Sequence, residues 1–209
     1  MKIMPEWFIL PGMGATSKMY SALNREIDFR INFIDWPVYQ SETTFEDVAK
    51  RLIDEHQICQ NDTIGGSSLG GMIALEIAML LDSRAVVLMG SALNRYEINR
   101  LLGFLAPAAP IIPLSLTRII CKNSKNMIIR MFVDSDPDFI RTMCRYIPLW
   151  NGYRGSFEKV HRIHGKTDIV IPCPQDGCEI IENAGHLLPV THPKACGSFL
   201  NRVNDALSK

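Results

Sequence analysis

The chain has 209 residues, 47% hydrophobic and 21% charged, a composition that suits one globular domain with a full core and excludes a disordered chain. Its 22 Lys and Arg balance 22 Asp and Glu. That balance argues against a polybasic surface built for nucleic acid or anionic lipid.

Trp7 to Leu10 is a short apolar run that stops at Pro11-Gly12-Met13-Gly14, so it predicts a buried strand ending in a glycine turn. Thr16 or Ser17 can cap a helix through about Ile27. Ile31 to Ile34 predicts a second strand, ended by Asp35-Trp36-Pro37. Phe45 to His56 places Phe45, Val48, Ala49, Leu52 and Ile53 on one face of a helix. Thr63 to Ser67 predicts a third strand, and Met72 to Leu81 a helix that is apolar except for Glu76 and therefore buried nearly all round. Ala85 to Met89 predicts a fourth strand. Strands alternating with helices in this way predict a parallel sheet covered on both faces.

The alternation then breaks. From about Asn94 to Arg154 the chain shows helical periodicity and prolines, with no convincing strand. Asp134, Ser135 or Asp136 ahead of Pro137 makes a good start for a helix through about Tyr146. Strands return at Val160 to His164 and at Glu179 to Glu182, and a last helix runs from about Pro193 to Leu207. The expected architecture is a single α/β domain over residues 1–209, with residues 94–154 inserted after the fourth strand as a helical cap.

Neither a targeting segment nor a membrane span is expected. Met1 to Glu6 has a charge and a proline where a signal peptide needs an apolar run. Leu101 to Leu116 is apolar, but it carries Pro107, Pro110 and Pro113 and is too short to cross a bilayer. Cys173 and Cys178 form the only close pair among six cysteines, with no second pair to complete a metal site. The thiols read as reduced, in a cytoplasmic protein.

Gly66-Ser67-Ser68-Leu69-Gly70 is a G-x-S-x-G between a predicted strand and a predicted helix, the setting that gives the motif meaning. A strand turning sharply into a helix strains the serine backbone and requires small neighbours two positions away. Ser68 Oγ is then expected above the carboxyl ends of the strands. A serine hydroxyl needs a base. Of the five histidines, His56 ends a helix, His161 and His164 share a strand, and His192 precedes Pro193 at a helix start. His186 remains, in a glycine-entered loop just past the last strand, and is the expected base. Asp168, just past the penultimate strand, is the expected acid, with Asp176 and Glu182 as rivals. An oxyanion hole needs two fixed backbone N–H groups. One is expected from Leu69; the other from the turn after the first strand, with Met13 first and Gly14 second.

With these residues in place the chain resembles the α/β-hydrolase superfamily over nearly its whole length. The resemblance sets the nucleophile elbow on Ser68, the acid on Asp168, the base on His186 and the oxyanion turn on Pro11 to Gly14. The segments His164 to Asp168 with Ile171-Pro172, and Ala184-Gly185-His186, are similar to the family's acid and histidine loops. Three features depart from the pattern. The oxyanion turn begins Leu-Pro-Gly where many members have His-Gly. There is no room for the family's first two strands, so about six strands are expected. Asp168 and His186 are only 18 residues apart, which implies an abbreviated connection.

The resemblance implies a serine hydrolase that cleaves a carboxylic ester of a short or medium apolar acyl group through an acyl-enzyme. It implies no metal and no organic cofactor. The alternatives are a thioesterase or methyl esterase acting on a carrier-bound acyl chain, a lyase using the serine–histidine pair, and a non-catalytic binding protein on the same fold. The expected partner is a small-molecule ester or thioester, not nucleic acid. Gly14, Leu102, Leu105 and Ile112 are the expected substrate contacts. The apolar cap residues suit an acyl pocket or a homodimer interface equally.

Overall fold

A computed structural model describes residues 4–99 and 136–209 of the chain. Six strands form one sheet: β1 (Trp7–Leu10), β2 (Asn32–Phe33), β3 (Thr63–Ser67), β4 (Ala85–Met89), β5 (Val160–Gly165) and β6 (Glu179–Ile181). Their spatial order is β2-β1-β3-β4-β5-β6, and every neighbouring pair is parallel. β1 lies directly beside β3, with Leu10 opposite Gly66. The turn after β1 and the turn after β3 therefore emerge at the same sheet edge, as expected. β6 joins the same sheet through a connection that holds no helix.

The period of two along each strand divides the core. Phe8, Leu10, Ile64, Val86 and Leu88 face one side, where α1 (Phe45–His56) and α2 (Leu69–Leu81) cover them. Trp7, Ile9, Val87, Met89 and Ile163 face the other, against Tyr20, Leu23 and α5 (Pro193–Leu207). Between β6 and α5 stands the single turn α4 (Leu188–Thr191). Among the described residues, no helix is long and apolar enough to cross a membrane.

Local chemistry accounts for most boundaries. α1 opens on a capping box in which Thr44 Oγ1 accepts from the Asp47 amide while the Asp47 carboxylate accepts from the Thr44 amide. α3 (Pro137–Tyr146) is capped by Asp136, whose carboxylate accepts from the amides of Asp138 and Phe139. This segment packs on the core. Phe139 and Met143 are buried, Phe139 meets Trp36 at 5.2 Å between ring centroids, and Trp150 meets Phe45 at 5.6 Å.

Two expectations are corrected. The helix expected from Thr16 or Ser17 to about Ile27 is instead a pair of 3-10 turns, Ser17–Tyr20 and Leu23–Glu26. Thr16 supplies no side-chain cap. The Asp35 carboxylate takes the Ser17 amide, and Tyr20 is tied to β1 through a bond to the Leu10 carbonyl. Those tertiary anchors hold the segment in tighter i→i+3 turns. The second helix also begins earlier than Met72, at Leu69, because the glycines that look like helix breakers are its first turn. Leu102, Leu105 and Ile112 lie outside the described residues.

Candidate active site

Ser68 sits between β3 and α2 with φ +51° and ψ −123°, a strained conformation for a residue with a Cβ. The surrounding glycines are what permit it. A Cβ on Gly66 would lie 2.4 Å from the Gly70 carbonyl carbon, and one on Gly70 would lie 2.3 Å from the Pro11 carbonyl oxygen. The backbones of β3, α2 and the turn after β1 thus approach too closely for any side chain between them. The Leu69 amide, at the first position of α2, has no carbonyl behind it in the helix.

The elbow delivers Ser68 Oγ to within 2.9 Å of His186 Nε2, although the two residues are 118 positions apart. His186 Nδ1 lies 2.8 Å from Asp168 Oδ2. Asp168 is buried, and burial pushes its carboxyl pKa up. Hydrogen bonds from His164, His186 and the Ile171 amide outweigh that effect and hold it well below the usual carboxylate range. An ionised carboxylate only accepts, so His186 Nδ1 carries the proton and Nε2 is left to accept from the Ser68 hydroxyl. This chain of contacts can carry a proton from hydroxyl to imidazole and stabilise the imidazolium that results.

The turn after β1 lies against this group. The Ala15 amide donates to the Gly12 carbonyl at 3.1 Å, and Gly14 takes φ +76°, as the third residue of a type II turn does. A Cβ on Gly12 would stand 3.6 Å from the Ser68 Cβ. Met13, half-buried at the turn's second position, accepts the Cys144 thiol on its sulfur at 3.5 Å. Beyond the turn opens a cleft of about 400 Å³, lined by residues that include Ala15, Trp36, Tyr39 and Phe139. Ser68 is not part of that lining.

The other candidates stay apart from this cluster. Asp176 is exposed, and Glu182 pairs with Lys166 at 2.5 Å on the surface. His161 is half-buried on β5, and burial pushes its pKa down. His192 bonds the neighbouring Thr191 hydroxyl at 2.9 Å. Among the described residues, no group of three His, Cys, Asp or Glu could hold a metal.

Several supports escaped the sequence reading. Ser91 Oγ donates to the Ser68 carbonyl at 2.7 Å and so clamps the elbow. The buried Arg162 donates to the Ser91 carbonyl at 3.1 Å and pairs with Glu97 at 2.6 Å. Trp36 Nε1 donates to the Gly12 carbonyl at 3.1 Å and pins the turn after β1. Tyr20 donates to the Leu10 carbonyl at 2.7 Å and takes the Ser67 hydroxyl at 2.8 Å. Arg162, a charged residue in the middle of a predicted strand, was the one signal available for any of these.

The Thioesterase domain family matches residues 5–94, from just before β1 through Ser68 to just past β4. The structure aligns with an esterase from Thermogutta terrifontis at TM-score 0.68 and 16% identity, over 99% of this chain and 91% of that one. It aligns with a hydrolase from Oleispira antarctica at TM-score 0.75 and 14% identity, over 98% and 92%. An enol-lactonase from Burkholderia xenovorans gives TM-score 0.70 and 15% identity, over 99% and 93%. The fold is that of the α/β-hydrolases. The family match lies on the segment that carries Ser68 and its flanking strand and helix. No curated protein sequence matches it.

Proposed function

We propose that the protein is a serine hydrolase that cleaves a carboxylic ester of a short or medium apolar acyl group, with Ser68 as nucleophile, His186 as base and Asp168 as acid. The observation that carries this reading is the unbroken relay of Ser68 Oγ to His186 Nε2 at 2.9 Å and His186 Nδ1 to Asp168 Oδ2 at 2.8 Å. Ser68 Oγ attacks the acyl carbon and its proton passes to His186 Nε2. The carbonyl oxygen becomes an oxyanion, held by the Leu69 and Met13 amides. Collapse breaks the bond to the leaving group, which takes the proton from His186. Water, deprotonated by the same nitrogen, then cleaves the acyl-enzyme. Residues 94–154 act as the lid. The aromatic cleft of Trp36, Tyr39 and Phe139 beyond the oxyanion turn takes an apolar part of the substrate.

The family match to thioesterase domains favours a second reading, in which the leaving group is a thiolate and the acyl chain arrives on a carrier. The geometry at Ser68 serves both. Turnover of p-nitrophenyl esters of rising chain length, set against acyl-CoA thioesters, separates them by kcat/KM. Both readings require that Ser68→Ala abolish turnover and covalent labelling by a fluorophosphonate. Turnover unchanged in Ser68→Ala would reject them together.

A further inference from the structure

His164 is the last side chain of β5 before Gly165, and it is completely enclosed. Its Nε2 lies 2.7 Å from the Ile171 carbonyl oxygen, which can only accept, so the proton sits on Nε2. Its Nδ1 is buried with no hydrogen-bond partner, the state of a bare lone pair. The same Nε2 lies 3.3 Å from Asp168 Oδ2, the oxygen that faces His186. The remaining oxygen of Asp168 accepts from the Val170 amide at 2.8 Å and the Ile171 amide at 3.0 Å. His164 and the loop 168–171 thereby close a ring of polar contacts. The imidazole holds the Ile171 carbonyl, the Ile171 amide holds the carboxylate, and the carboxylate faces the imidazole again.

We propose that His164 is a positioning residue for the acid: its Nε2–H, bonded to the Ile171 carbonyl with the nitrogen 3.3 Å from Asp168 Oδ2, fixes the loop that carries the carboxylate and draws charge from the oxygen that serves His186. This rests on the function proposed for Ser68, His186 and Asp168. A histidine that only fills the core would need neither contact. The connection between β5 and β6 has no helix to hold it, so the acid loop depends on bonds of this kind for its shape. The groups that face Asp168 are His164 from β5, His186 from the loop after β6, and the amides of its own loop. Gly90, at the end of β4, brings only backbone to that side. No second carboxylate or ammonium group stands among those neighbours, so a change at His164 is read directly by the His186–Asp168 pair.

The test compares His164→Phe, which removes the donor, with His164→Gln, which keeps an N–H near the same place. In His164→Phe the carboxylate attracts the His186 imidazolium more strongly. The acid limb of kcat/KM against pH therefore moves upward by about half a unit to one unit, the scale of a single lost hydrogen bond. kcat is expected to fall about tenfold as the acid loop loosens. His164→Gln should return the acid limb toward that of the wild type. A His164→Phe profile that superimposes on the wild type, with only Tm changed, would overturn the proposal. If His164→Phe does not fold, nitrogen NMR of the histidine-labelled wild-type protein decides. The neutral Nε2–H tautomer at His164 is expected, and an Nδ1–H tautomer would overturn the proposal. A failure of the underlying function would look different, since Ser68→Ala would then leave wild-type turnover intact.

Discussion

Replacing Asp168 with Asn keeps the shape of the side chain and removes one acceptor, which makes it a sharp probe of the relay. One carboxylate oxygen accepts from two backbone amides at 2.8 and 3.0 Å, and the other accepts from His186 at 2.8 Å and lies 3.3 Å from His164 Nε2. An asparagine carbonyl oxygen will stay with the two amides, because turning the NH2 toward them would leave two buried donors unpaired. The NH2 must then face His186 and force Nδ1 to accept. The imidazole proton moves to Nε2, which points at Ser68 and can no longer take its proton. A tautomer error of this kind costs about 10⁴ in kcat in a Ser-His-Asp site, or about 5 kcal/mol of transition-state stabilisation. Steady-state turnover of a p-nitrophenyl ester measures it, with fluorophosphonate labelling as a check on Ser68. The exchange also changes how stability depends on pH. The Asp168 carboxyl is held below its ordinary range in the fold. It therefore contributes stability that is complete above an unfolded carboxylate value of about 3.9 and is lost as pH falls through the lower folded value. Wild type should lose more Tm on acidification from about pH 5 to pH 3 than Asp168→Asn does. Activity of Asp168→Asn within tenfold of wild type would refute the relay.

Gly66→Ala places a methyl group 2.4 Å from the Gly70 carbonyl carbon, and backbone on both sides leaves no side chain to move aside. Thermal unfolding should show a loss of about 1–3 kcal/mol or more, with kcat falling as the elbow shifts. Trp36→Phe keeps the ring against Phe139 but removes the 3.1 Å bond to the Gly12 carbonyl. A fall in kcat of about tenfold, with Tm within about 3 °C of wild type, is expected if that bond aligns the Met13 amide. Glu76 is held by Trp150 Nε1 at 2.6 Å, and burial pushes its carboxyl pKa up. Its charge is therefore a cost that appears as pH rises through the ordinary glutamate value of about 4.3. Glu76→Gln keeps an acceptor for Trp150 and should leave Tm at pH 7 unchanged or raise it, a gain that disappears at pH 4.

The residues that define the elbow were legible because steric demands write themselves into composition. Only glycine fits where a Cβ would stand 2.3 to 2.4 Å from the backbone of the neighbouring element, so Gly66 and Gly70 announce the geometry before Ser68 is considered. β1, β4, α1 and α5 were legible because buried strands read as short apolar runs and a half-buried helix as a period of 3.6. The 3-10 turns between Ser17 and Glu26 were not, because a bond from Asp35 and another to Leu10 decide them, and those partners are distant in the chain. The same limit hid the supports of the site. His164 reads as an ordinary core histidine until its second contact, Asp168, is placed beside it. Ser91 reads as a loop serine until the Ser68 carbonyl arrives 2.7 Å away. Residues that react carry spacing imposed by the turns they occupy. Residues that hold them in place carry none, because a hydrogen bond between two elements constrains where they meet and not what surrounds either one in sequence.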